Sequence, residues 1–350
     1  MSDGARLAGA FAMATAVATL ATPLMRSLAV RTRFYDEPLG YKRHRQPTPY
    51  LGGAAVLAGF LASGLIFASG LPHFAVIVLA ALALFAMGTI DDRVGLGVLV
   101  RLGVQVAAAV ALWSAEVRWE VTDAVAVNLL VTIAWVVGVV NAFNLMDNLD
   151  GAAATVAAVC ALGAGTVAVS QGAPEAAALA FALAGACAAF LRFNLAKPAR
   201  IFLGDGGSMP IGLVVAGLVL SCPPGSLGWA SLLALAPLAG LPIFDTTLVV
   251  VSRCRRRAPI LSGGRDHLTH RLLPRLGSER SVALVVGAAQ GLLCLLALAL
   301  MLSDREPVAA TGAAAYLALG LIAIAALEAE DSPRLARQGG RVVAIESVER

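Results

Sequence analysis

Residues 73–92, HFAVIVLAALALFAMGTIDD, run apolar almost without interruption and then close on two adjacent carboxylates, Asp91 and Asp92. About 20 such residues cross the hydrocarbon core of a bilayer as a helix. The stretch therefore reads as a membrane span with an acidic end. Comparable runs bounded by polar, Gly or Pro residues occupy the rest of the chain and give eleven expected spans: 7–29, 50–70, 73–90, 98–114, 124–140, 152–170, 174–194, 208–222, 228–252, 281–302 and 307–327. The composition agrees, since 59% of the 350 residues are hydrophobic and 14% charged. That balance excludes a soluble enzyme, a disordered chain, a disulfide scaffold and a nucleic-acid-binding domain. The fold class is an all-α polytopic integral membrane protein, with one transmembrane domain over 1–330 and a polar, flexible tail over 331–350.

Charge orients the bundle. With the N-terminus outside, only Arg6, Arg118 and Arg305 of the 26 Lys and Arg fall on the external side. The others lie in cytoplasmic segments or at the cytoplasmic ends of spans, as the positive-inside rule requires, and the C-terminus is cytoplasmic. Leu7–Met25 is a retained first span rather than a cleaved signal, because Arg26, Arg31 and Arg33 follow it and only Arg6 precedes it. The external segment Ala115–Asp123 alternates Val117, Trp119 and Val121, which allows a small β-hairpin or an interfacial segment. The five cysteines form no metal-binding spacing and read as buried thiols.

In this topology the unusual polar clusters meet on the cytoplasmic face. Asp91 and Asp92 sit at a helix C-terminus, where the macrodipole and their mutual repulsion both disfavour negative charge. The run Asn141-Ala-Phe-Asn144-Leu-Met-Asp147-Asn148-Leu-Asp150-Gly151 brings further oxygen ligands to the same depth, a set suited to a hard cation, Mg²⁺ or Mn²⁺. Phe202-Leu-Gly204-Asp205-Gly-Gly-Ser208 opens the span after it. Its free N–H groups, permissive glycines and a Ser208 cap make a candidate phosphate site, beside which Asp205 calls for a bridging metal. Arg265, His267, His270 and Arg271 lie in the longest internal loop. The histidines could ligate metal, but their arginine neighbours favour an anionic ligand, against the blander alternative of lipid-headgroup anchoring. Headgroup anchoring is the preferred reading for Arg253, Arg255, Arg256 and Arg257. Asp245 lies roughly 12 Å inside the boundary at about 1.5 Å per residue, a functional or hydrogen-bonding carboxylate beside Pro242.

The order Asp91-Asp92, Asn141-x-x-Asn144-x-x-Asp147-x-x-Asp150-Gly151, Phe202-Leu-Gly-Asp205-x-Gly-Ser208 and Pro242-x-x-Asp245 resembles that of the polyprenyl-phosphate N-acetylhexosamine-1-phosphate transferases, glycosyltransferase family 4, over about residues 30–330. Within it the chain is most similar to the undecaprenyl-phosphate GlcNAc-1-phosphate transferase branch, because Arg271-Leu272 follows His270. The resemblance implies transfer of a HexNAc-1-phosphate, foremost GlcNAc-1-phosphate, from a UDP-sugar to undecaprenyl phosphate with release of UMP, initiating a cell-envelope glycan. It also implies Mg²⁺ on Asn144 and Asp205, with Mn²⁺ able to substitute, and uridine on Asp150. Asp91 or Asp92 would deprotonate or orient the lipid phosphate. Asp147, Gly204 and Ser208 join the substrate-binding set with the loop residues Arg265, His267, His270 and Arg271, of which His267, His270 and Arg271 are expected on the sugar diphosphate. Expected partners are the UDP-HexNAc donor, undecaprenyl phosphate and membrane lipids, with no nucleic acid and with a second copy of the chain as a candidate. The expected location is the bacterial cytoplasmic (inner) membrane, with the active site facing the cytoplasm.

Two departures from the family pattern stand out. Thr269 replaces a His in His-x-His-His, which is expected to leave more room on the sugar side, and Asn148 stands in Asp-Gly-x-Asp-Gly. Other UDP-HexNAc donors are the first alternative. A UbiA-like prenyltransferase, which would want two DxxxD-type motifs, and a transporter, which would carry mid-bilayer charges and paired helix breaks, fit less well.

Overall fold

The computed structural model describes residues 2–36, 47–223, 229–260, 264–303 and 305–346, the last sixteen of these as backbone only. It is all-helical apart from one two-stranded ribbon. Each apolar run is a helix: α1 (Asp3–Arg31), α2 (Gly52–Phe67), α3 (Phe74–Val94), α4 (Val98–Ser114), α5 (Val125–Met146), α6 (Ala152–Ser170), α7 (Pro174–Asn194), α8 (Asp205–Leu220), α9 (Ala230–Leu235), α10 (Gly240–Arg256), the short amphipathic α11 (Leu268–Leu276), α12 (Glu279–Ser303) and α13 (Glu306–Glu346). Eight helical segments are long and apolar enough to cross a membrane, counting α9 to α10 as one, and α2, α4 and α8 are shorter apolar helices. The backbone of α13 continues helical to Glu346, into the segment expected to be a flexible tail.

Small residues bring these helices together. Ala10, Ala14 and Ala18 form a fully buried stripe on α1, and a Cβ on Gly59 of α2 or Gly185 of α7 would strike the α1 backbone, at Ala14 O (2.6 Å) and Phe11 O (2.3 Å). In lipid no hydrophobic drive favours helix pairing, so close backbone approach must supply the contact. At the centre stands α8, buried at every position from Gly206 to Leu220 and packed by α3 and α5. Its 16 residues span about 24 Å, less than the roughly 30 Å hydrocarbon core. One end of the central helix is thereby recessed.

Three expectations change. The run 228–252 is not one continuous helix: a 3₁₀ turn, Ala236–Ala239, separates α9 from α10 around Pro237. The side chain of Gln290 on α12 covers the break, donating to Pro237 O (3.1 Å) and Leu238 O (3.0 Å) and accepting from Leu241 N–H (3.0 Å). A broken helix at membrane depth needs such substitutes for lost backbone bonds. The segment Ala115–Asp123 forms no strand. Thr132 and Asn128 of α5 accept the N–H groups of Trp119, Val121 and Thr122, which removes the partners a hairpin would need. The ribbon forms instead between β1 (Tyr35–Asp36) and β2 (Thr48–Pro49). Finally, Cys254 is exposed, while Cys160, Cys187, Cys222 and Cys294 are buried as expected.

Candidate active site

The recessed end of α8 opens into a cavity of about 1320 Å³, larger than most single-ligand pockets. Its floor is built by three helix ends. Asp92 at the end of α3 reaches across to the start of α8, where Oδ1 accepts the N–H of Asp205 (3.0 Å) and Oδ2 that of Gly206 (3.1 Å). This resolves two separate oddities of the sequence at once: a carboxylate misplaced at one helix C-terminus supplies the negative cap that another helix N-terminus lacks. The approach needs glycine. Gly204 adopts φ +75°, and a Cβ there would meet Asp92 Oδ2 at 2.6 Å; a Cβ on Gly88 would meet Asp205 O at 2.4 Å.

The expected phosphate site on free α8 amides is therefore corrected. Asp92 takes two of the four N–H groups, and Gly204 O accepts the other two, from Gly207 and Ser208 (2.9 Å each). The cap residue is Gly204, and Ser208 is buried with its Oγ in contact with Asn144 Nδ2 (3.2 Å), so it does not line the cavity. Asn144, inside α5 rather than beyond it, donates to Asp205 Oδ1 at 2.7 Å. The pair expected to share a ligand is thus in direct contact. Asp147 caps the same helix and lines the cavity. Burial, with the nearby charges of Asp205, Asp92 and Asp150, pushes its carboxyl well above the usual carboxylate range. Asn194 ties the surrounding loops together, accepting from Gly151 N–H (2.6 Å) and donating to Ile201 O (3.1 Å).

Asp91 stands directly beside Asp205 but does not itself line the cavity. Its carboxylate accepts from Leu96 N–H and from Arg101 Nη1 (3.0 Å), locking α3 to α4 outside the cavity. Arg101 also approaches Asp205 Oδ2 at 4.0 Å. Of the loop residues, His267 and His270 line the cavity with their rings 5.9 Å apart, but Arg265 is exposed outside it and Arg271 faces away. The Arg271 guanidinium donates to Asp266 O (3.0 Å), Leu327 O (3.2 Å), Ser252 Oγ (3.0 Å) and Glu328 Oε1 (2.7 Å), which joins α11 to α10 and α13. Arg253 is no headgroup anchor either. It is buried, bonded to Asp266 Oδ2 (2.9 Å) and Ile260 O (2.6 Å). Asp266 is itself burdened by burial, yet Arg256 and Arg253 hold its carboxyl below the usual range.

Arg253 nonetheless lines the cavity, whose other cations come from elsewhere: Arg26, Arg192, Lys197, Arg200 and Arg280, with Arg280 fixed by two bonds to Leu195 O (3.1 and 3.0 Å). The sequence signal for them was a charge cluster at span ends, which the positive-inside rule had already explained. Asp36 and Tyr50 also line the cavity, brought there by the ribbon and by the bond from Phe202 N–H to Pro49 O (2.8 Å). Burial and the Asp36 carboxylate push the Tyr50 hydroxyl upward, so it stays protonated. Among the described residues no three His, Cys, Asp or Glu side chains converge on a metal position by themselves. The oxygen-only donors around Asp205 nonetheless suit Mg²⁺, which keeps few protein ligands and takes the rest from substrate phosphates and water.

A carboxylate floor and a cationic rim in one membrane-embedded cavity define a site for phosphorylated substrates. The chain belongs to glycosyl transferase family 4, whose profile matches residues 74–222. It is 32% identical over 316 residues to the decaprenyl-phosphate N-acetylglucosaminephosphotransferase of Mycolicibacterium smegmatis, covering 78% of this chain and 77% of that protein. It is 28% identical over 293 residues to a probable undecaprenyl-phosphate N-acetylglucosaminyl 1-phosphate transferase of Bacillus subtilis, covering 80% and 81%. A Yersinia pestis undecaprenyl-phosphate alpha-N-acetylglucosaminyl 1-phosphate transferase shares 26% over 286 residues, covering 77% and 78%. Family membership sets aside the prenyltransferase and transporter alternatives.

Proposed function

We propose that this protein transfers GlcNAc-1-phosphate from UDP-GlcNAc to undecaprenyl phosphate, at the cytoplasmic face of a bacterial inner membrane. The observation that carries the reading is the cavity at the recessed end of α8, where carboxylates and arginines face a common space large enough for a nucleotide sugar and a lipid headgroup. The names of the relatives support a polyprenyl phosphate acceptor and transfer of an N-acetylglucosaminyl 1-phosphate group, and that reaction type implies a UDP-sugar donor. The charge distribution supports the orientation with this end of the bundle inside.

In the reaction an oxygen of the lipid phosphate attacks the sugar-bearing phosphorus of the donor. The bond from that phosphorus to the bridging oxygen breaks, and UMP leaves with the electron pair. Two polyanions must approach, so charge neutralisation and in-line positioning supply most of the rate. Arg192, Lys197, Arg200 and Arg280 are placed to hold phosphate oxygens, and Arg26 lies on the same rim. A lipid phosphate monoester is already largely ionised near pH 7, so no strong base is required. Asp92 fixes the position of Asp205 through the α8 backbone rather than abstracting a proton. Asp205, with Asn144 after its amide turns to present oxygen, would hold Mg²⁺, which supplies Lewis-acid charge stabilisation on the diphosphate. Asp150 and Asn148 line the same cavity, where Asp150 would contact the uridine.

The test is UMP release by purified protein from a panel of UDP-sugars, with and without undecaprenyl phosphate. Release from UDP-GlcNAc only when the lipid phosphate is present is expected. Lipid-independent release, or preference for a different UDP-HexNAc, would replace this reading.

A further inference from the structure

Asp245 is a fully buried carboxylate in α10 to which the transfer reaction assigns no task. Its Oδ2 lies 2.8 Å from His267 Nδ1, and its Oδ1 accepts the N–H of Leu268 at 2.6 Å. Both oxygens are thus engaged by the segment that opens α11. The histidine is buried as well, at 4% exposure, yet it lines the cavity. An ionised carboxylate can only accept hydrogen bonds, so the ring nitrogen facing it must carry a proton. In a neutral imidazole the other nitrogen, Nε2, is then a bare acceptor. The same carboxylate–imidazole logic fixes tautomers in metal sites and catalytic triads.

We propose that Asp245 is a positioning residue that holds His267 as the Nδ1–H tautomer, so that Nε2 presents an acceptor to the cavity. Building on the transferase reading, that acceptor takes a hydrogen bond from a hydroxyl or amide N–H of the donor sugar. A bare Nε2 has no proton to offer a phosphate oxygen. The phosphates fall instead to the arginines and lysine that line the same cavity. The sequence offered Asp245 a functional or hydrogen-bonding role but no partner, because that partner is 22 residues away, beyond the end of α10.

The full chain contains four histidines, few enough for ¹⁵N-histidine NMR in detergent with His267 assigned by its loss in His267→Gln. Wild-type His267 is expected to show a protonated Nδ1 and an unprotonated Nε2. Adding UDP-GlcNAc should shift the Nε2 signal, and UMP, which lacks the sugar, should not. In Asp245→Asn the amide oxygen can keep the Leu268 N–H while the amide nitrogen donates to Nδ1, which moves the proton to Nε2 without removing the helix cap. Turnover should then fall about tenfold to a hundredfold, the usual cost of losing such an orienting partner. In a His267→Gln background Asp245→Asn should cost nothing further. A proton on Nε2 of wild-type His267 overturns the proposal without recourse to any variant. So does an equal loss from Asp245→Asn in both backgrounds, or an equal Nε2 shift with UMP. The tautomer is read without turnover, so a wild-type chain that releases no UMP would count against the transferase reading alone.

Discussion

Asp92→Asn separates a helix cap from a catalytic base. In the wild-type chain the two carboxylate oxygens accept from Asp205 and Gly206 N–H at 3.0 and 3.1 Å. Asparagine keeps one acceptor and turns an NH₂ towards the other N–H, so one charge-assisted bond is lost and a buried donor is left facing a donor. The lost bond is worth about 1.5–3 kcal/mol, and the lost charge at the α8 N-terminus about 0.3–1 kcal/mol more. A total near 3 kcal/mol is expected, which at about 2 °C per kcal/mol lowers the unfolding midpoint by about 6 °C. Thermal unfolding in detergent measures this, with UMP release followed in parallel. Activity should fall too, because Asp205 and the cavity floor are set by that cap. An unchanged midpoint with abolished turnover would refute the reasoning and return Asp92 to the role of a base.

Three further outcomes follow from the same geometry. Arg271→Ala should destabilise the protein by about 1.5–3 kcal/mol, the cost of losing the charge-assisted bond to Glu328, whose side chain is 7% exposed and which keeps Arg255 at 3.6 Å; unfolding shows the loss, and the donor KM of the folded fraction should stay at the wild-type value. Asp205→Asn should lower turnover by several orders of magnitude while the chain still folds, and EDTA should silence the wild type until Mg²⁺ is restored, so full activity in EDTA would rule the metal out. Asp266 has its carboxyl held below the usual range, so its contribution is present above the unfolded value near pH 3.9 and disappears as pH falls through the lower folded value. Unfolding midpoints of wild type and Asp266→Asn should accordingly converge below about pH 4 and separate above it.

The helices were legible because each is a contiguous apolar run, a property local to the sequence. So was the meeting of Asp92, Asn144 and Asp205, since three span ends of known direction had to share one face. What the sequence concealed depends on partners far along the chain. Arg271 looked free to grip phosphate only because Glu328, 57 residues later, could equally have been a solvated helix residue. The break between α9 and α10 looked like a continuous span because Gln290, which makes it tolerable, belongs to another helix. Arg192, Lys197, Arg200 and Arg280 were counted as evidence for orientation, and one charge can serve both membrane topology and a binding site.

The two departures from the family pattern carry the sharpest lesson. Read separately, Thr269 in place of a histidine suggested a roomier sugar site, and Asn148 in place of a glycine suggested little. In the structure they are hydrogen-bonded to one another, Thr269 Oγ1 donating to Asn148 Oδ1, while Asn148 Nδ2 donates to Leu145 O at 2.6 Å. Thr269 is fully buried, so it adds no space beside the sugar; it fastens α11 to the turn that follows α5. A glycine at 148 could not answer that hydroxyl, and an imidazole at 269 would need room that the asparagine fills. The pair therefore acts as one unit, and its members should couple. Thr269→His alone replaces the short hydroxyl donor with a ring and overpacks a closed site, at about 1–3 kcal/mol. Thr269→His with Asn148→Gly should recover much of that stability, by at least about 1 kcal/mol relative to the sum of the single changes. If the two effects simply add, the contact is incidental and Thr269 returns to the sugar side of the site.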